Sequence, residues 1–425
     1  MMHEISDSIQ KHDDGDFLYP CYEENCISNI PGSILDLFGV NHNLRRLPFL
    51  GKEAYDPQKV VLLILDGFGF NQFLRHKQEN KFLADASNKS DVFTLTSIFP
   101  SQTTNALTTL NTGLTPQEHG LFEYYLYMKE VGRIINTLRF EPIGSVNQNL
   151  LAKEGLDPKI MFKGKTIQNM LEEAGIKSFT HIYAPYAYSA SGSLLFEGST
   201  MVPTLKSSDL FVSLRKKLEQ EPGPSYHFVH LSNLDTIAHE YGPSSYEYSA
   251  ELSVISYLIN KELIQKIDST AAKETLLLTT SDHGGVNIVP ENITYLNGFP
   301  ELLKNLQNGA SGETILPTGS ARDVFLHVQQ DKMEKTKKLL ANRIGDKAKI
   351  VETKEAINDG LFGLGEINPK FLERAGNLLL LPYRNETVWF DHFIDYKYKP
   401  VGQHGGLNQD EMLVPLSVST LDKLK

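Results

Sequence analysis

The run 274–285, ETLLLTTSDHGG, closes an apolar stretch with Asp282 and His283 and follows them with two glycines. A carboxylate and an imidazole at one chain reversal suit a divalent metal such as zinc, which takes oxygen and nitrogen donors together. Gly284 and Gly285 let the backbone turn sharply, so both side chains can face one point. Other segments end in a similar way. The apolar run KVVLLILD ends in Asp66, with Gly67-Phe68-Gly69 after it. The run 226–235 ends in Asp235, with His239 four residues later. Asp235 and His239 thus share one face of a helical turn, close enough to chelate one ion. Gly402-Gln403-His404-Gly405-Gly406 sets a further imidazole between glycines, ahead of a last apolar run at 412–418.

Each residue alone has a plainer reading. An aspartate at a strand end often caps the next helix, and a lone histidine such as His239 or His404 is usually a surface, core or turn residue. Three acids and three histidines on one rim are more than capping explains. A hydroxyl nucleophile lies in the segment IFPSQTTNALTTLNTG (98–113), a proline loop running into a helix that Gly113 ends. Thr103 falls at the helix start, where the dipole and free N–H groups favour an alkoxide and a phosphate. Without a metal, Thr103 is better read as an N-cap; a neighbouring ion supplies the activation a threonine hydroxyl lacks at neutral pH. Ser101 and Thr104 are the alternative nucleophiles.

These residues need a scaffold that brings strand ends together. Apolar runs at 59–66, 226–235 and 275–282 suit strands buried on both faces, and helical stretches at 104–112, 164–174, 207–219 and 244–267 alternate with them. The expectation is an α/β fold, a three-layer sandwich with a mostly parallel central sheet. Ligands of such sheets sit outside the carboxyl ends of the strands. Residues 1–55 read as a mobile tail (1–16) and an arm carrying a short helix, with Pro31 near its start and Gly39 past its end. The core is expected at 56–285 and 401–425. Residues 286–400 read as an inserted α+β cap, in which strands at 322–328 and 347–352 flank the helix 331–344 as a β-α-β unit. The charges Lys332, Glu334, Lys335, Lys337 and Lys338 mark a solvated helix face.

Composition narrows the partners. With 425 residues, 40% hydrophobic and 22% charged, the chain has the make-up of a soluble globular protein. A net charge of -11 disfavours a nucleic-acid polymer but not a small phosphorylated substrate, because a bound metal inverts the local field. Cys21 and Cys26 are the two cysteines, which points to free thiols rather than a disulfide scaffold. Residues 1–16 lack the apolar core of a signal peptide, and no apolar run reaches membrane-span length. A cytoplasmic location without membrane association is expected; the oligomeric state is not legible.

Asp66-Gly67, the Pro100-to-Thr103 loop leading into Thr112-Gly113-Leu114-Thr115-Pro116-Gln117-Glu118-His119-Gly120, Asp235 with His239, Asp282-His283-Gly284-Gly285 and His404-Gly405-Gly406 occur in an informative order. From about Lys59 onward the chain resembles the alkaline phosphatase superfamily, nearest its nucleotide pyrophosphatase/phosphodiesterase branch. The resemblance implies two divalent ions, zinc first and manganese as the alternative. Asp66, Asp282, His283 and Thr103 would hold one ion, and Asp235, His239 and His404 the other. It also implies in-line attack by Thr103, then hydrolysis of a phosphothreonine intermediate, on a phosphate diester or phosphoanhydride such as a nucleotide. Where many members carry an asparagine for the phosphoryl oxygen this chain has Ala106, so Asn105 next to it is the candidate contact. The sulfatase pattern C-x-P-S-R is absent. His119 reads as a turn residue.

Substrate contacts are less constrained. Phe68, beside Asp66, is the first candidate for stacking on a base, ahead of Phe70, Tyr124, Tyr125 and Tyr127. Arg322 offers a cation for the extra charge of a monoester. The rival readings are therefore a phosphomonoesterase, or another phosphoryl or sulfuryl hydrolase of the same superfamily, and a non-catalytic metal-binding protein.

Overall fold

The computed structural model describes residues 2–5, 8–9, 17–310, 312–393 and 399–425. Most of the expected tail, 1–16, lies outside the described residues. The arm carries helix α1 (Ile30–Leu37), with Pro31 in its first turn and Gly39 at φ +69° beyond its end. Phe17, Leu18 and Tyr22 join the main hydrophobic core.

Six strands of the main sheet precede residue 281: β1 (Lys59–Leu65), β2 (Asp91–Thr96), β3 (Lys177–Tyr183), β4 (Thr200–Thr204), β5 (Ser225–Leu231) and β6 (Thr275–Thr280). Two helices leave this region towards the site, α2 (Thr103–Thr112) and α3 (Asn233–Tyr241). Four strands of a second sheet follow, β7 (Thr318–Gly319), β8 (Val324–Leu326), β9 (Ala348–Glu352) and β10 (Leu378–Pro382), with helix α4 (Met333–Ile344) among them. The last strand is β11 (Leu413–Thr420).

The main sheet has the order β2-β11-β6-β1-β5-β3-β4, with helices on both sides. β11 runs antiparallel to β2 and β6, whereas β1, β3, β4, β5 and β6 pair in parallel. β1, β5 and β6 are buried along their whole length, because helices cover both faces of the sheet. Burying each large side chain of KVVLLIL stabilises the fold by about 1.5–3 kcal/mol. That anchors β1 firmly enough to hold a carboxylate at its end. The fold is the expected α/β one with a mostly parallel sheet.

The second sheet has the order β7-β8-β10-β9 and is antiparallel throughout. β8 and β9 flank α4 in sequence, as expected, but are not neighbours: β10, the run LLLLP, pairs between them. An all-apolar strand from further along the chain takes the central place, since that place buries both of its faces. Met333, Thr336, Leu340 and Ile344 form the buried stripe of α4, and its lysines face outward. Among the described residues no helix is long and apolar enough to cross a membrane.

Candidate metal and phosphoryl-transfer site

β6, β1 and β5 are adjacent and parallel, so their carboxyl ends share one rim. Asp66 follows β1 directly, and its N–H donates to the Leu231 carbonyl at 3.0 Å. Gly67 then takes φ +75°, and a Cβ there would sit 3.2 Å from the Asp235 Cα; the close approach of α3 to β1 depends on glycine. Asp282 lies two residues past β6. Its Oδ1 accepts from the N–H groups of Gly67 (3.2 Å) and His283 (3.0 Å), which leaves Oδ2 free to face the site. A Cβ on Gly284 would come within 2.0 Å of the Asp410 carbonyl oxygen, so that turn also requires glycine.

Three histidines are oriented alike. The Nδ1 atoms of His239, His283 and His404 lie 3.0, 2.8 and 2.8 Å from the carbonyl oxygens of Gly402, Gly284 and Ser101. Each bond places the N–H on Nδ1 and turns the Nε2 lone pair inward, the tautomer a metal ligand needs. His283 Nε2 is 3.4 Å from Asp66 Oδ1 and 3.4 Å from Asp282 Oδ2. His239 Nε2 and His404 Nε2 lie 3.4 and 3.6 Å from the two oxygens of Asp235. The rings of His283 and His404 stack at 3.6 Å and join the two halves. Thr103 is the first residue of α2 rather than its cap, and its Oγ1 is 3.2 Å from His283 Nε2.

Charge in this cluster is strained without a cation. Burial, then Asp282 and Asp235, push the Asp66 carboxyl well above the usual range. Burial would raise Asp235 too, but His239 and His404 hold it below that range. Burial opposes charging His239, yet Asp235 lifts it to about 9. Burial and His283 push His404 down to about 3. Asp66 Oδ1 and Asp282 Oδ2 are buried with no hydrogen-bond partner. Unsatisfied buried carboxylate oxygens beside inward-turned imidazole Nε2 atoms are the donor set that divalent zinc satisfies. The residues therefore fit the metal that the sequence leads one to expect.

A family model described as type I phosphodiesterase / nucleotide pyrophosphatase matches residues 60–407, which include every one of these side chains. The chain belongs to this family. A human relative, ectonucleotide pyrophosphatase/phosphodiesterase family member 1, is 23% identical over 215 residues, 49% of this chain and 21% of its own length. The aligned part of the chain thus spans about a fifth of that protein. Murine ectonucleotide pyrophosphatase/phosphodiesterase 5 shares the fold, with a TM-score of 0.61 at 16% identity over 85% of this chain and 87% of its own. Its human counterpart matches at 0.61 and 15% identity, with the same shares of the two chains. An inactive threonine-to-alanine variant of the murine protein in complex with AMP matches at 0.60 and 16% identity, again over 85% and 87%.

In this phosphodiesterase-family chain a cavity of about 660 Å³ opens over the cluster, lined by Asp66, Thr103, Asp235, His239 and His404 among others. The three expected substrate contacts are not in its lining, and each needs correction. Phe68 is 1% exposed and packs edge-on against Phe73; the Gly67 turn sends it into the core, away from Asp66. Asn105 is fully buried and gives its amide to the Pro100 carbonyl at 2.7 Å, bracing the loop before Thr103. Arg322 is fully buried and forms a forked pair with Glu411 (2.9 and 2.8 Å) while also donating to the Glu386 and Arg384 carbonyls. It is a structural cation and faces no substrate. His119 bonds Thr109 Oγ1 (3.1 Å) and the Leu121 N–H (3.0 Å), the turn role expected of it.

The aromatic lining comes from elsewhere. Tyr124 and Tyr125 do face the cavity, joined by Tyr186, Tyr295 and Trp389, while Tyr127 packs with Ile134 and Ile315. No local pattern marks Tyr186, Tyr295 or Trp389, since long-range folding alone brings them together. His230, near the end of β5, was also missed: it is 5% exposed, lines the cavity, and has Nε2 3.1 Å from Asp66 Oδ2. The available signal was its place five residues before Asp235, level with Ile64 of β1.

Proposed function

We propose that the protein is a metal-dependent phosphodiesterase or nucleotide pyrophosphatase that uses Thr103 as nucleophile and two divalent ions, zinc first. The observation that carries this reading is the placing of the Thr103 hydroxyl, at a helix start and 3.2 Å from an inward-facing His283 Nε2, inside a cluster of buried carboxylates. When bound, the ions would ease deprotonation of the hydroxyl and offset phosphoryl charge. Asp66, Asp282 and His283 would hold one, and Asp235, His239 and His404 the other. The N-terminal turn of α2 adds a favourable dipole at the attacked phosphoryl group. The loop bracing by Asn105 and the bond from Ser101 Oγ to the Gly406 carbonyl (2.9 Å) fix Thr103 against the His404 loop. The inactive threonine-to-alanine variant of the murine relative supports a threonine nucleophile.

A diester suits the cavity better than a monoester. Among the described residues no lysine or arginine lines it, and Arg322 is committed to Glu411. The extra negative charge of a monoester, or of a polyphosphate tail, therefore finds no lysine or arginine among the described residues of the lining. Tyr124, Tyr125, Tyr186, Tyr295 and Trp389 give an aromatic wall suited to a nucleobase or another flat group on the ester. The test is turnover of bis(p-nitrophenyl) phosphate against p-nitrophenyl phosphate, before and after chelation and zinc return. Diester hydrolysis that is lost on chelation and regained with zinc is expected. A preference for the monoester, or turnover indifferent to chelation, overturns the reading.

A further inference from the structure

His230 lies outside the ligand set that the family resemblance implies, yet its environment is that of a ligand. β5 pairs with β1 so that His230 is level with Ile64, and Asp66 follows two residues on. Residues two apart on a strand share a face, so His230 and Asp66 project to the same side of the rim. The ligand atoms of Asp66, His230 and Asp282 all lie within 4.8 Å of one another. Asp66 Oδ1, Asp282 Oδ2 and His230 Nε2 are each buried without a hydrogen-bond partner. Buried polar atoms are normally satisfied. Three unsatisfied atoms from three neighbouring strand ends, two of them carboxylate oxygens and the third an imidazole nitrogen, are satisfied together by a single cation.

We propose that His230 Nε2 is a ligand of the ion held by Asp66 and Asp282. This rests on the metal reading of the site and extends it. Each ion then has two imidazoles: His230 and His283 at the Thr103 side, His239 and His404 at the other. The three implied histidines have their Nδ1 atoms against backbone carbonyls. His230 has no such bond among the described residues, and its ring borders the cavity.

The test loads the full chain with the spin-half isotope of cadmium and correlates each cadmium signal with imidazole ring protons through bonds. Wild type is expected to show two cadmium signals, each coupled to two imidazoles. In His230→Gln one signal should lose one imidazole while the other is unchanged, and competition with a chromogenic chelator should show zinc held at least ~10-fold more weakly at one site. Two cadmium signals in wild type with imidazole counts of one and two would overturn the proposal while leaving the two-metal reading intact. Wild type that binds no cadmium or zinc would overturn both. An affinity loss in His230→Gln with an unchanged coupling pattern would make His230 an orienting partner of Asp66 and likewise overturn ligation.

Discussion

Two groups of histidines, one within the main sheet and one at its carboxyl rim, have different surroundings. His181 of β3 and His227 of β5 meet in the middle of the sheet, Nε2 to Nδ1 at 3.2 Å, with Ser225 Oγ 3.1 Å from the other ring nitrogen of His227. Neither has an ion pair with a carboxylate among the described residues. Burial pushes His181 down to about 3 and His227 well below its usual value. His239, His283 and His404 are also buried or half-buried, but they lie at the carboxyl rim, where Asp66, Asp235 and Asp282 face them. Burial opposes a charged imidazole in either place, but at the rim Asp235 outweighs it and lifts His239 to about 9. Of the two groups, only the rim one has carboxylates alongside among the described residues, and a cavity through which a substrate can enter.

The strongest way to break this contrast is at the hydroxyl. Thr103→Ala should lower kcat on a diester by roughly 10³–10⁶-fold while both ions stay bound, as elemental analysis would show. His404→Ala should weaken one ion by at least ~10-fold and remove most activity; His181→Phe, in the mid-sheet pair, should leave metal content and turnover as they are. If the two substitutions had equal effects on metal binding, the distinction between rim and interior would fail. Arg322→Met should cost about 3–5 kcal/mol of stability in denaturant unfolding, because it strands the buried Glu411 carboxylate. The ratio of diester to monoester turnover should not change, and a shift of that ratio would return Arg322 to the substrate.

The smallest expected effect concerns two acids outside the ligand set. Glu123 and Asp323 are fully buried, and Glu123 Oε1 and Asp323 Oδ2 have no hydrogen-bond partner. Burial and then Asp323 raise Glu123 well above the usual range, and burial raises Asp323 to about 7. The folded protein thus keeps protons that the unfolded chain releases. Stability from this pair is present below the ordinary carboxyl range and is lost as pH rises through about 7. Wild type should lose stability relative to Glu123→Gln across that window, by at most about 1.4 kcal/mol per pH unit per proton. A pH-independent difference between the two proteins would show that the pair shares no proton.

The parts of the site that were legible in the sequence are those where local pattern and fold coincide. An apolar run buried on both faces signals a parallel strand, and an acid at its end must lie on the rim; Asp66 and Asp282 follow from that. His239 followed from its spacing to Asp235. Contacts set by side-chain direction were not legible. Phe68 adjoins Asp66 in sequence, but the positive φ at Gly67 sends the two side chains apart. Arg322 looked like a spare cation because its partner Glu411 lies 89 residues away. His230 sits in a run that reads as buried strand, and its place on the cavity wall depends on the strand ending one residue later. β10 was not anticipated between β8 and β9 for the same reason: pairing across the second sheet is long-range.

The central claim is that the rim cluster serves a covalent route through Thr103, and stereochemistry at phosphorus tests it most directly. The zinc-loaded protein would hydrolyse a phosphorothioate diester of one configuration in isotopically labelled water. Two in-line displacements, one by Thr103 and one by water, predict net retention. Inversion would mean that water attacks directly, and would contradict the account.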